Sequence, residues 1–147
     1  MTVRNGVGYQ TLLDEANASV ETITTDVLAK QLGDEDLVII DLRDIRELQS
    51  EGHLPGAVHT PRGMLEFWID PTSPYAKPIF QEDKRFVFYC RSGWRSALAT
   101  SVANRLGLQR TSHLEGGFSS WKEAGFDVVP YTSRTRTPQK DTNRTTS

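Results

Sequence analysis

A single cysteine, Cys90, stands among the 147 residues, so no internal disulfide can staple this chain. That scarcity fits a reducing compartment and leaves the thiol without a resolving partner of its own. No apolar run approaches the roughly 18 residues needed to cross a bilayer. The opening Met1-Thr2-Val3-Arg4-Asn5-Gly6 lacks the apolar stretch of a secretory signal. A cytoplasmic protein with no membrane partner is the expectation. The net charge of -2 provides no global basic field for nucleic acid. Only three histidines occur, His53, His59 and His113, and no spacing among them suggests a metal site. No metal or organic cofactor is expected, and the chain holds no internal repeat.

With 37% hydrophobic and 24% charged residues, the composition suits one globular domain. Tyr9, Leu12, Leu13 and Ala16 share a face at helical spacing, predicting a helix near 9–19 in an N-terminal segment, residues 1–19. The domain proper is expected over 20–131. Thr24 or Thr25 caps a helix over Asp26 to Leu32. Leu37 to Leu42 is a run of strand formers without alternation, as in a strand covered on both faces. A short helix follows over Asp44 to Glu51, then a turn at His53-Leu54-Pro55-Gly56 and a strand at Ala57-Val58-His59. Met64, Leu65, Phe67 and Trp68 lie on a helix that stops before Pro71. Phe86 to Tyr89 is a second buried strand, and Trp94 to Leu106 a helix. Ser112-His113-Leu114 is a weaker strand, and a helix spans Phe118 to Glu123. Strands alternating with helices predict an open parallel α/β sheet of about five strands with helices on both faces. The segment 132–147, rich in Thr, Arg, Lys and Gln, is expected to be disordered.

Cys90 sits where a strand ends and a helix begins, in Cys90-Arg91-Ser92-Gly93-Trp94-Arg95-Ser96. Ligands of parallel α/β sheets bind beyond such strand ends. The thiolate is the nucleophile, and a free cysteine is mostly protonated at neutral pH. Three features favour the thiolate here: free amides at the helix start, a concave nest of loop amides, and the nearby cations Arg91 and Arg95. Gly93 lets the loop turn its amides inward, and Ser96 can donate a further hydrogen bond. The planar guanidinium of Arg95 matches two oxygens of an oxyanion. The expected ligand is a small anion carrying an atom open to attack by sulfur.

The loop resembles that of the rhodanese family, whose active-site loop has six residues and begins with Cys after the central strand. Here it would run from Cys90 to Arg95. Asp41-Leu42-Arg43-Asp44, Glu51-Gly52-His53-Leu54-Pro55-Gly56-Ala57, and Leu114-Glu115-Gly116-Gly117-Phe118 with Trp121 resemble the other family boxes. They fall in family order over residues 20–130. The resemblance implies a rhodanese-like fold and sulfur transfer by a thiosulfate sulfurtransferase. Cys90 would be the nucleophile, forming a persulfide. Arg91, Ser92, Gly93, Trp94, Arg95 and Ser96 would bind the anionic sulfur donor. Cyanide, a small thiol or a protein thiol would accept the sulfur.

Two other classes compete. Rhodanese-fold and tyrosine phosphatases place five residues between Cys and Arg and usually a His before the Cys. This chain has four residues there, and Tyr89 in the preceding position. A non-enzymatic regulatory module is the second, although such modules often lack the Cys. Asp41 and Asp44 are read as structural rather than catalytic, with Asp41 holding a turn or Arg43. The three histidines are read as structural or surface residues. Trp94, Phe67 and Trp68 could each wall the pocket or belong to the core; Met64, Leu65, Phe118 and Trp121 are read as core.

Overall fold

The two apolar runs form the middle of the sheet. The computed structural model describes residues 4–132, so all of the expected disordered tail except Thr132 lies outside the described residues. Strand β2 (Leu37–Asp41) pairs in parallel with β4 (Arg85–Tyr89), setting Ile39 beside Val87 and Asp41 beside Tyr89. With β1 (Thr22–Ile23), β3 (Val58–His59) and β5 (Thr111–Leu114), the order is β1-β5-β4-β2-β3, every pair parallel. The expected five-stranded sheet is present with β4 at its centre. Two-residue β1 carries too little pattern to stand out in the sequence, and its place is fixed by pairing with β5.

Helices α1 (Tyr9–Ser19), α2 (Thr25–Gln31), α3 (Ile45–Glu51), α4 (Leu65–Ile69), α5 (Trp94–Arg105) and α6 (Gly117–Glu123) complete the chain. Thr24 caps α2 by accepting the Val27 amide at 3.4 Å, and Asp44 with Glu47 forms a capping box at α3. Val38, Ile40, Phe86 and Phe88 face Leu65, Trp68 and Ile69 of α4 and Ala99 and Ala103 of α5. The alternate residues Ile39, Val87 and Tyr89 face Leu28 of α2 and Phe118 and Trp121 of α6. Both sheet faces are covered, which is why these strands read as unbroken apolar runs. Among the described residues no helix is long and apolar enough to cross a membrane.

One reading of a helix face needs correction. Of the four residues assigned to one face of α1, only Leu13 and Ala16 are buried, and Tyr9 and Leu12 stay exposed. On α5 the buried set is Ser96, Ala97, Ala99, Thr100 and Ala103. Small side chains let α5 lie close on the sheet, while α1 approaches its other flank, where Ser19 bonds Ser101 at 3.4 Å. Trp94 and Phe67 are exposed, whereas Trp68, Leu65, Phe118 and Trp121 are buried and Met64 is partly buried against the core.

One cation lies wholly inside. Arg43 follows β2 with no exposed surface and donates to Asp41 Oδ2 at 2.8 Å and to the Gly52 carbonyl at 2.6 Å. Its guanidinium also lies 4.2 Å from the Phe118 ring centroid. Tyr89 donates to the same carboxylate and accepts the Leu54 amide at 3.1 Å. Burial first, then the Asp41 charge, pushes the Tyr89 phenol well above its ordinary range, so it remains a donor. Asp41 thus has the structural role expected of it.

Helix α6 fixes the Cys90 loop from the other side. Phe118 N–H donates to the Cys90 carbonyl at 2.8 Å, and Ser119 N–H to the Arg91 carbonyl at 3.0 Å. Gly117 makes that approach feasible: its φ is +58°, and a Cβ there would lie 2.4 Å from the Cys90 oxygen.

Replacing Arg43 by Met should lower the unfolding free energy by about 3–5 kcal/mol, because it leaves Asp41 buried and unpaired. Urea denaturation measures this, and a loss below about 1 kcal/mol would show that Asp41 needs no such partner. Gly117→Ala should destabilise the chain by at least about 1 kcal/mol through its left-handed backbone and the collision with the loop. An unchanged urea midpoint would contradict that contact.

Candidate functional site

The strand–loop–helix junction places the Cys90 sulfur beneath its own loop. The residue is 1% exposed, yet polar groups surround the sulfur. Gly93 N–H donates to Sγ at 3.2 Å, and Sγ donates to Ser96 Oγ at 3.6 Å. Gly93 adopts φ +114°, the left-handed turn that aims its amide at the sulfur. Helix α5 starts at the next residue, so its unpaired amides and dipole favour negative charge over the loop.

Both loop arginines are partnered by α3. Arg95 donates to Glu47 through both Nη atoms, at 2.9 and 3.2 Å. Arg91 donates through Nη1 to both Glu51 oxygens, at 2.7 and 2.8 Å. Glu51 also lies 3.4 Å from Arg43, joining the loop to the buried cation. The hydrogen bond from Arg95 is the main cause that holds the Glu47 carboxyl below its ordinary range, with burial opposing it. The arginines expected to clamp an anion thus rest in an ion-pair lattice with Glu47 and Glu51. Ser92 and Trp94 are exposed, and the Trp94 ring lies 5.2 Å from that of Tyr9. Trp94 is thus a surface residue beside the loop rather than core.

The histidines separate into two kinds. His53 bonds the Leu54 carbonyl through Nδ1 at 2.8 Å, and His59 donates from Nε2 to the Arg43 carbonyl at 2.7 Å. Both fit the structural role read from sequence. His113 is buried as well, and its Nδ1 lies 3.0 Å from Ser96 Oγ, one hydroxyl away from the Cys90 sulfur. Sequence reasoning missed this link. The available signal was strand alternation, since pairing of His113 with Phe88 points both toward α5. Clefts of about 490 and 400 Å³ flank Arg91 and Glu51, whereas two others, near 300 and 370 Å³, share Phe86 and Arg110 and lie toward the opposite end of β4 from Cys90.

This arrangement can take the proton of a thiol, hold the resulting thiolate and present cations beside it. Residues 24–124 match the family model of the rhodanese-like domain. A sulfurtransferase of Allochromatium vinosum is 30% identical over 111 residues, covering 75% of this chain and 95% of that protein. The human single-domain sulfurtransferase superposes with a TM-score of 0.58 at 28% identity, covering 71% of this chain and 97% of that one. A Rhodopseudomonas palustris protein of unknown function, described as a possible tyrosine phosphatase, superposes with a TM-score of 0.84 at 52% identity. That match covers 88% of this chain and 99% of the other. With the fold, the order of its boxes and the match over residues 24–124 in agreement, this chain belongs to the rhodanese-like domain family.

Proposed function

We propose that this chain is a sulfurtransferase that moves a sulfane sulfur from a small anionic donor of the thiosulfate class through a persulfide on Cys90. The observation that carries the reading is the six-residue loop itself. Its sulfur receives the Gly93 amide, and four residues separate it from the guanidinium of Arg95. The Cys90 thiolate attacks the outer sulfur of the donor. The donor S–S bond breaks, sulfite departs with the electron pair, and Cys90 keeps one sulfur as a persulfide anion. Loop amides stabilise that anion in the manner of an oxyanion hole. A cyanide, a small thiol or a protein thiolate then takes the outer sulfur and regenerates the Cys90 thiolate. No other thiol of the chain competes for it.

The description of the Rhodopseudomonas palustris structure favours a second reading, phosphatase. Phosphatase rings of this architecture hold five residues between Cys and Arg so that the amides surround a tetrahedral phosphate. The ring from Cys90 to Arg95 is one residue shorter, which suits a single sulfur atom.

Intact-mass spectrometry after incubation with thiosulfate should show one added sulfur, absent in Cys90→Ser, which should also lose thiocyanate formation from thiosulfate and cyanide. Turnover of an aryl phosphate without sulfur loading would establish the phosphatase instead. Arg95→Ala should raise the thiosulfate KM by roughly ten- to a hundredfold, the equivalent of one charge-assisted hydrogen bond of about 1.5–3 kcal/mol. A KM within about twofold of wild type would remove Arg95 from the anion site.

A further inference from the structure

We infer that Ser96 and His113 form a proton relay that takes the thiol proton from Cys90 and then turns a hydrogen bond back onto the thiolate. The connection is continuous: Cys90 Sγ to Ser96 Oγ at 3.6 Å, then Ser96 Oγ to His113 Nδ1 at 3.0 Å. All three residues are buried, with Ser96 fully covered and His113 5% exposed, so water does not offer the easy route for that proton. The relay rests on the sulfurtransferase reading for its purpose, though not for its geometry.

The proton balance closes within the three groups. In the resting thiol, Sγ–H donates to Oγ, and Oγ–H donates to the Nδ1 lone pair of an imidazole protonated on Nε2. Transfer breaks the S–H bond and forms an O–H bond, while the Ser96 hydroxyl gives its own proton to Nδ1. The result is a thiolate, an intact hydroxyl now donating to sulfur, and an imidazolium donating to that hydroxyl. The Gly93 carbonyl, 3.3 Å from Oγ, is the competing acceptor for the hydroxyl proton. The 3.0 Å contact to nitrogen is the shorter of the two.

Burial lowers the affinity of His113 for a proton below its ordinary value, which keeps the resting imidazole a neutral hydrogen-bond acceptor, while the Glu115 charge works against that shift and favours the imidazolium that the relay forms. The relay uses the tautomer protonated on Nε2, in which Nδ1 accepts from the Ser96 hydroxyl. Cys90 and Ser96 face it from the β4 end and α5. Asn17 of α1, Thr22 of β1 and Glu115 line with it a cavity of about 200 Å³ behind the loop. Among these described groups, Cys90 and Glu115 are the titratable neighbours of His113. His113 acts through Ser96 and is a positioning residue for the nucleophile.

The decisive measurement is the pH titration of the Cys90 thiolate by ultraviolet absorbance in the full chain, taken as the difference from Cys90→Ser and with no sulfur donor present. His113→Asn keeps an acceptor near the Nδ1 position but removes the base. It should leave about tenfold less thiolate at neutral pH than wild type, as should Ser96→Ala. The double variant should be no worse than either single one, because both changes cut the same path. Ser96→Thr, which keeps the hydroxyl, should restore the wild-type profile and guards against a mere packing effect. A His113→Asn profile superimposed on wild type overturns the relay, as does a Ser96→Thr profile as poor as that of Ser96→Ala. Because no donor is used, the two claims fail separately. A shifted titration in a chain that never takes sulfur from thiosulfate sinks only the sulfurtransferase reading. An unshifted one in a chain that does take sulfur sinks only the relay.

Discussion

Everything around the loop leans on one buried charge. Arg43 has no contact with solvent and satisfies its guanidinium on Asp41, on the Gly52 carbonyl and on Glu51, while one face covers Phe118. Those partners belong to the end of β2, the end of α3 and the start of α6. A cation that cannot be solvated must keep such partners in place or incur a desolvation penalty of several kcal/mol. The three elements that frame the Cys90 loop are therefore held in one arrangement by a need for charge neutralisation, with the apolar core closing around it.

The same logic extends outward with decreasing force. Glu47 and Glu51 are one turn apart on α3, and Arg91 and Arg95 are four residues apart across the loop and the first turn of α5. The two pairs meet side by side. Partly exposed pairs of this kind add little stability. Their consequence is orientation: they hold both guanidinium groups near the loop.

A buried thiol set among polar partners reconciles two demands. A nucleophile needs its charged form stabilised, whereas burial in hydrocarbon would suppress it. Around Cys90 the Gly93 amide, the α5 N-terminus and the Ser96 hydroxyl replace the water that burial removes. Helix α6 contributes at one remove, since its first amides take the Cys90 and Arg91 carbonyls and leave the loop amides to point inward.

Local chemistry in the sequence was enough to place β2, β4, α2, α3, α5 and α6, because caps, unbroken apolar runs and turn glycines act over a few residues. It also singled out Cys90 and its loop as the candidate site, since a lone thiol between a strand and a helix start is a local pattern. Strand β1 was beyond it, being two residues whose only support is the neighbouring β5. So were the buried face of α5, which depends on where α1 docks, and the resting partners of Arg91 and Arg95, which come from a helix some forty residues earlier. His113 makes the division plain. Its strand could be read from residues 112–114, but its nearness to the sulfur arises only when β5 registers against β4 and α5 settles on that face, a contact made by pairing and packing across distant segments.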